Sequence, residues 1–68
     1  MIRIRVNGEL HTCPAGQDIR QILIHLGYQP EVVVVELNGL ILPRSQWPGK
    51  RVVESDSLEV VTIVGGGA

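Results

Sequence analysis

Residues 58–64 have the sequence LEVVTIV and continue directly into GGGA at residues 65–68. Side chains alternate between the two faces of a strand, so Val60 and Val61 point to opposite sides, and both faces of this segment are partly apolar. A strand that is apolar on both faces is typical of the interior of a sheet. The pattern therefore predicts a last strand that lies centrally, beside the first strand of the chain.

The chain begins with the alternation of a half-buried strand, IRIRV, followed by Asn7-Gly8. A two-residue loop here would pair Ile4 with His11 and mix the apolar and polar faces. A three-residue loop that starts at Val6 pairs Ile4 with Leu10 instead and keeps the faces apart. We therefore expect the first hairpin to have the longer loop.

The next predicted element is an amphipathic helix of about nine residues. Asp18 is a suitable N-cap, and Gln21 stands three residues later, where a capping box requires it. Gly27 occupies the position of a left-handed C-cap glycine. Apolar residues at helical spacing form the side that we expect to be buried: Ile19, Ile22, Leu23 and Leu26.

A second hairpin is predicted at Asn38-Gly39, where a two-residue loop pairs Leu37 with Leu40 and keeps the faces consistent. In the proline-bounded connection that follows, Trp47 is expected to fold back onto the core, and Val52-Val53 is a candidate short strand. The order hairpin, helix, hairpin, connection and strand predicts an α+β fold. A central last strand beside the first makes this layout the β-grasp, with one helix on one face of a mixed four- to five-stranded sheet.

The composition is that of one small domain, residues 1–64, with a flexible glycine-rich tail at residues 65–68. The 68 residues carry a net charge of -1 and include one cysteine, Cys13. A single cysteine excludes an internal disulfide and leaves too few ligands for a zinc site. No basic run suits nucleic acid, and no apolar stretch has the length of a membrane span. We therefore expect a cytoplasmic protein with no metal site and no nucleic-acid or membrane partner.

The glycine-rich end is the only candidate for chemistry. Cys13 precedes Pro14 with no base at a motif spacing, and it is interpreted as inert. Because glycine has no Cβ, an extended chain through Gly65, Gly66 and Gly67 can enter a channel too narrow for side chains and present a terminal carboxylate to another protein. The alternative is a frayed terminus without function.

Five segments of the sequence, together with its terminal glycines, resemble the ThiS family of sulfur carriers of thiamine biosynthesis, part of the ubiquitin-like ThiS/MoaD superfamily. The resemblance covers the whole chain, and its most specific part is the Asn-Gly, Pro-Arg and Trp pattern combined with the glycines. The matching segments are IRVNGE at 4–9, AGQDI at 15–19, VVVELNG at 33–39, LPRSQW at 42–47 and DSLEV at 56–60.

The resemblance implies a protein co-substrate and not an enzyme. In the family, an adenylating enzyme related to ubiquitin-activating enzymes uses ATP to activate the terminal glycine, and a cysteine desulfurase supplies the sulfur. The resulting thiocarboxylate delivers sulfur to thiazole synthase. The family spacing places the reactive diglycine at Gly66 and Gly67, with Gly65 assisting entry into the channel. It also implies no bound cofactor. From the small size and the glycine content we expect a monomer.

The sequence departs from the family pattern at Ala68, which follows the diglycine. Three explanations are open: proteolytic removal of Ala68, an added residue, or an activating partner that accepts alanine. Our hypothesis is that Gly67 is the working terminus after Ala68 is lost.

A docking surface for these partners is expected on the side of the sheet away from the helix, at Val61, Ile63 and Val34. The alternative is that loops or Trp47 cover these side chains. Rival functions are a molybdopterin-type sulfur carrier, a ubiquitin-like modifier attached to lysines, and a β-grasp module that binds partners without tail chemistry.

Overall fold

A computed structural model describes residues 1–63 of the chain. Its five strands form one sheet in the order β2-β1-β5-β3-β4. The elements are β1 Ile2–Val6, β2 Glu9–Cys13, α1 Ile19–His25, β3 Val33–Leu37, β4 Leu40–Ile41 and β5 Ser57–Thr62, with 3-10 turns at Pro30–Val32 and Arg44–Gln46.

The last strand lies in the centre of the sheet, as its two apolar faces predict. β5 runs parallel to β1, where Val6 pairs with Leu58, and antiparallel to β3, where Val35 pairs with Val60. Side chains of β1, β3, β5 and α1 form a common core. One helix on one face of a five-stranded mixed sheet confirms the β-grasp fold.

The first hairpin has a two-residue loop, so the predicted three-residue loop is wrong. Ile4 pairs with His11, and Val6 pairs with Glu9. Asn7 and Gly8 have φ angles of 52° and 83°, which a type I′ hairpin turn requires. The mixed faces are tolerated because β2 is an edge strand, on which Glu9 is exposed and His11 is only half-buried.

The second hairpin and the helix boundaries follow the sequence prediction. Leu37 pairs with Leu40 across Asn38-Gly39. At the start of α1 both bonds of the capping box form between Asp18 and Gln21. Gly27, which follows the helix, has a φ of 92°. The helix has seven residues, somewhat fewer than expected.

The connection between β4 and β5 does not contain the short strand predicted at Val52-Val53, and burial and hydrogen bonds hold it in place. Trp47 is 3% exposed and belongs to the core, as expected. Val52 is buried too, but its N–H donates to the carbonyl of Gln17 outside any strand. Just before β5, the buried Asp56 accepts the N–H of Val53. No helix within residues 1–63 is long and apolar enough to cross a membrane.

Candidate functional site

The predicted reactive end of the chain, Gly65, Gly66 and Gly67, lies outside the described residues, as do Val64 and Ala68. The described chain ends at Ile63, one residue beyond β5. Within the described residues, the candidate site consists of β5, which leads to the glycines, and of the surfaces beside it.

The side chain of Asn7 attaches β5 to the first hairpin. Its Oδ1 accepts the N–H of Val60 at 2.8 Å, and its Nδ2 donates to the carbonyl of Val60 at 3.2 Å. The turn of the second hairpin contacts the other end of the strand, where Oδ1 of Asn38 accepts the N–H of Ser57 at 2.9 Å. β5 is thus held by both Asn-Gly turns in addition to its two neighbouring strands.

Ile63, which follows β5, is also hydrogen-bonded. The N–H of Ile63 donates to the carbonyl of Val32, in the 3-10 turn that precedes β3, at 2.6 Å. Arg44 donates to two carbonyls that flank this point, Pro30 at 2.6 Å and Val33 at 3.4 Å. The end of the described chain at Ile63, here called the exit of the chain, is therefore held by side-chain and backbone hydrogen bonds.

The side of the sheet away from α1, here called the outer face, carries the predicted docking residues. Val34 and Val61 lie opposite each other in the β3–β5 pairing, and strand alternation places Ile63 on the same side. All three side chains are more than a third exposed. The alternative in which Trp47 covers them is wrong, because Trp47 packs in the core on the helix side.

Charged residues adjoin this apolar part of the outer face. Glu36 and Glu59 are direct partners in the β3–β5 register, next to the pair of valines. Like charges directly opposite each other destabilise a sheet. Arg5 lies on the same face, on β1, and is exposed. The outer face therefore combines an apolar end, near the exit of the chain, with an acidic pair and a basic strand.

No catalytic centre is assembled within residues 1–63. Cys13 is fully buried, and this burial raises the pKa of its thiol, which makes the nucleophilic thiolate less available. No group of three or more His, Cys, Asp or Glu side chains in this part of the chain could hold a metal ion.

Sequence reasoning missed the roles of Asn7 and Arg44. The sequence pattern predicts only a turn position for Asn7, although the side-chain amide of asparagine can also pair with a backbone. Arg44 was noted only as part of a family motif. Its signal was the Pro-Arg-x-x-Trp spacing, because an Arg three residues before a Trp within a helical turn can stack on the indole ring.

Comparisons with known proteins agree on one family. The model of the ThiS family matches residues 4–67. A crystal structure of the thiamine biosynthesis protein ThiS from Geobacter metallireducens superposes with a TM-score of 0.78 at 33% identity, covering 97% of this chain and all of that one. Sulfur carrier protein ThiS of Escherichia coli is 27% identical over 66 residues, which are 97% of this chain and 100% of that protein.

A further relative is a much longer protein. Thiazole synthase of Magnetococcus marinus is 38% identical over 66 residues, which are 97% of this chain but 20% of that protein. The chain thus spans about a fifth of the length of this relative.

Proposed function

Since the chain belongs to the ThiS family, we propose that it is a sulfur carrier of thiamine biosynthesis whose C-terminal glycine is adenylated and then converted to a thiocarboxylate. The observation that carries the proposal is the central strand β5, which leads to the glycines and is held on both sides. The domain provides a rigid handle, and the terminal glycines provide the reactive end. The chain itself acts as a co-substrate, and ATP is used by the adenylating partner.

The proposed chemistry turns a poor acyl donor into a good one. The carboxylate of Gly67 attacks the α-phosphorus of ATP, and pyrophosphate leaves. A persulfide sulfur, supplied by a cysteine desulfurase, then attacks the acyl carbon, and AMP leaves with the electrons of the C–O bond. A thiol then attacks the cysteine sulfur of the resulting acyl disulfide, the S–S bond breaks to release the thiocarboxylate, and the thiol and the cysteine are left joined in a new disulfide. The carrier contributes a terminus without side chains, which fits a narrow channel.

For partner recognition we propose the apolar end of the outer face, at Val34, Val61 and Ile63. Its exposure and its position beside the exit support docking that delivers the terminus at the same time. A partner surface that is apolar and places a cation against Glu36 and Glu59 would complement this face. A segment similar to this chain within a thiazole synthase supports that enzyme as the acceptor.

We further propose that Gly67 is the working terminus and that Ala68 is removed before activation. A carboxylate on alanine would bring a methyl group into a channel that accommodates glycine. The family spacing supports Gly66 and Gly67 as the diglycine. Both residues fall within the part of the chain that the family model matches, whereas Ala68 falls outside it.

Exchange of pyrophosphate into ATP, catalysed by the host's adenylating enzyme, tests the proposal. A chain that ends at Gly67 should support exchange, and a chain that ends at Gly65 should bind the enzyme without supporting it. The matched control is the chain that ends at Gly67 with Gly66→Val, which keeps the length but places a side chain in the channel. Equal exchange from all three chains, or none from any, would contradict the carrier function. Binding without any exchange would indicate a non-covalent module instead.

A further inference from the structure

We propose that Arg44 is a positioning residue, which fixes the point where the chain leaves the sheet by holding the turn to which Ile63 is bonded. The consequence of this role, the placement of the reactive terminus, rests on the proposed function. The role itself, holding the turn beside Ile63, rests only on contacts between described residues.

Arg44 bridges the two sides of the turn at Pro30–Val32. Its Nη1 donates to the carbonyl of Pro30 at 2.6 Å, and its Nη2 donates to the carbonyl of Val33 at 3.4 Å. Between these two residues lies Val32, whose carbonyl accepts the N–H of Ile63. The guanidinium group therefore restrains the backbone on both sides of the acceptor that holds the end of β5.

The guanidinium group is itself anchored to the core. It lies over the ring of Trp47, with its central carbon 4.7 Å from the ring centroid. Trp47 is almost fully buried, and its indole N–H donates to the carbonyl of Leu42 at 3.1 Å. A planar cation that stacks on a fixed ring and donates two hydrogen bonds loses little freedom for each bond it forms. Arg44 thus connects the turn that binds Ile63 to a fixed ring in the core.

Two features of the surroundings explain why an arginine is needed here. β4 contains only Leu40 and Ile41, so it does not extend along β3 as far as Val33. Arg44 supplies donors at a part of the sheet edge that β4 leaves open. The carboxylate of Glu31, which belongs to the same turn, is already bound to Arg20 at 2.9 Å.

The position of Ile63 matters because few residues separate it from the reactive carboxyl. Gly67 is four residues further along, and four extended residues span at most about 14 Å. If the bond from Ile63 to Val32 opens, the reach of the carboxylate from the docked face is no longer limited to this length. Catalytic turnover by the partner should then fall more than docking does, because Val34 and Val61 of the docking face keep their strand pairing.

The test compares Arg44→Met, which keeps an apolar stem against Trp47 but removes the donors, with Arg51→Met. Arg51 is a matched control because it also donates to a backbone carbonyl, that of Gly16 at 2.8 Å, away from the exit. Hydrogen exchange of the Ile63 amide is measured by NMR. The kcat and KM of the chain ending at Gly67 are measured in ATP–pyrophosphate exchange with the adenylating enzyme. Arg44→Lys, which can restore one of the two bonds, is the conservative variant.

We expect Arg44→Met to speed exchange of the Ile63 amide and to lower kcat by about tenfold, which corresponds to about 1.4 kcal/mol, with a smaller change in KM. Arg44→Lys should be intermediate, and Arg51→Met should resemble the unmodified chain. Unchanged protection of Ile63 in Arg44→Met would overturn the proposal. So would a rise in KM at constant kcat, or an equal loss in Arg51→Met. If the unmodified chain supports no exchange, the carrier function fails, and protection of Ile63 still decides the role of Arg44.

Discussion

The side chain of Asn7 pairs with the backbone of Val60 as a neighbouring strand would. It accepts the N–H of Val60 at 2.8 Å and donates to the carbonyl of the same residue at 3.2 Å. The pairing of β1 with β5 reaches Leu58, so the amide extends the contact between these strands toward the exit of the chain. An asparagine can do this because its side chain carries the same donor and acceptor as a peptide group.

Replacement of Asn7 by glycine should destabilise the domain by about 1–3 kcal/mol, since it removes two part-buried hydrogen bonds. Glycine keeps the positive φ that the turn requires, so the turn itself is preserved. Urea unfolding measures the change, and NMR exchange locates it. The Val60 amide should exchange faster in Asn7→Gly, and the Ser57 amide faster in Asn38→Gly. Loss of protection at both amides in both variants would contradict separate roles for the two asparagines.

Much of the fold could be predicted because local patterns determine it. The capping box of Asp18, the second hairpin at Asn38-Gly39 and the central position of β5 all follow from neighbouring residues or from strand alternation. The first hairpin could not be predicted in the same way. The prediction of its register assumes that apolar and polar side chains lie on separate faces of the sheet. This assumption fails because β2 is an edge strand that buries little beyond Cys13.

Replacement of Val61 by aspartate should weaken binding to the adenylating enzyme at least tenfold while leaving the fold intact, because a charge would be buried in an apolar interface. Leu10→Asp is the matched control. Both side chains are 62% exposed, and both lie on the outer face, but Leu10 is on the edge strand β2, away from the exit. Calorimetric titration with the adenylating enzyme measures the affinities. Equal losses from the two substitutions would show that the docking face is not confined to the exit end. Unfolding of Val61→Asp would show that Val61 is part of the core.

The contact between Glu54 and Arg3 should make stability depend on pH in acid. The backbone N–H of Arg3 donates to Glu54 at 2.8 Å, and this bond lowers the pKa of the carboxyl group in the folded state. The stabilisation is therefore complete above the ordinary pKa of a glutamate, and it is lost as the pH falls through the lowered value. Glu54→Gln should flatten the acid side of a plot of the free energy of unfolding against pH.

A second carboxyl group provides a comparison for this prediction. The pKa of Glu31 is lowered first by a hydrogen bond from the side chain of Arg20, and both side chains are exposed. Because about 1 M salt screens exposed charges strongly, the effect of Glu31→Gln on the acid slope should shrink in salt. The effect of Glu54→Gln should shrink less, since its largest cause is an uncharged backbone N–H, and the ion pair of Glu54 with Nε of Arg3 at 3.3 Å is a smaller cause. Equal sensitivity to salt would contradict the backbone origin of the Glu54 effect.

The candidate site was less predictable than the fold. The outer face could be located, because alternation alone separates Val61 from the buried Val60. The hydrogen bonds that hold the exit could not. They join Asn7 to Val60 and Arg44 to Pro30 across distances in the sequence that no local pattern reports. Tertiary contacts made by single polar side chains are the part that required the structure.

The intact mass of the chain, purified from its own host, tests the sulfur-carrier account most directly. Conversion of a carboxylate to a thiocarboxylate replaces oxygen by sulfur and adds about 16 Da. We predict a chain that ends at Gly67 and carries this addition, with the addition lost when the adenylating enzyme is deleted. A chain that still ends at Ala68 and carries the addition would contradict Gly67 as the working terminus. A chain without the addition in cells that are making thiamine would contradict the carrier function itself.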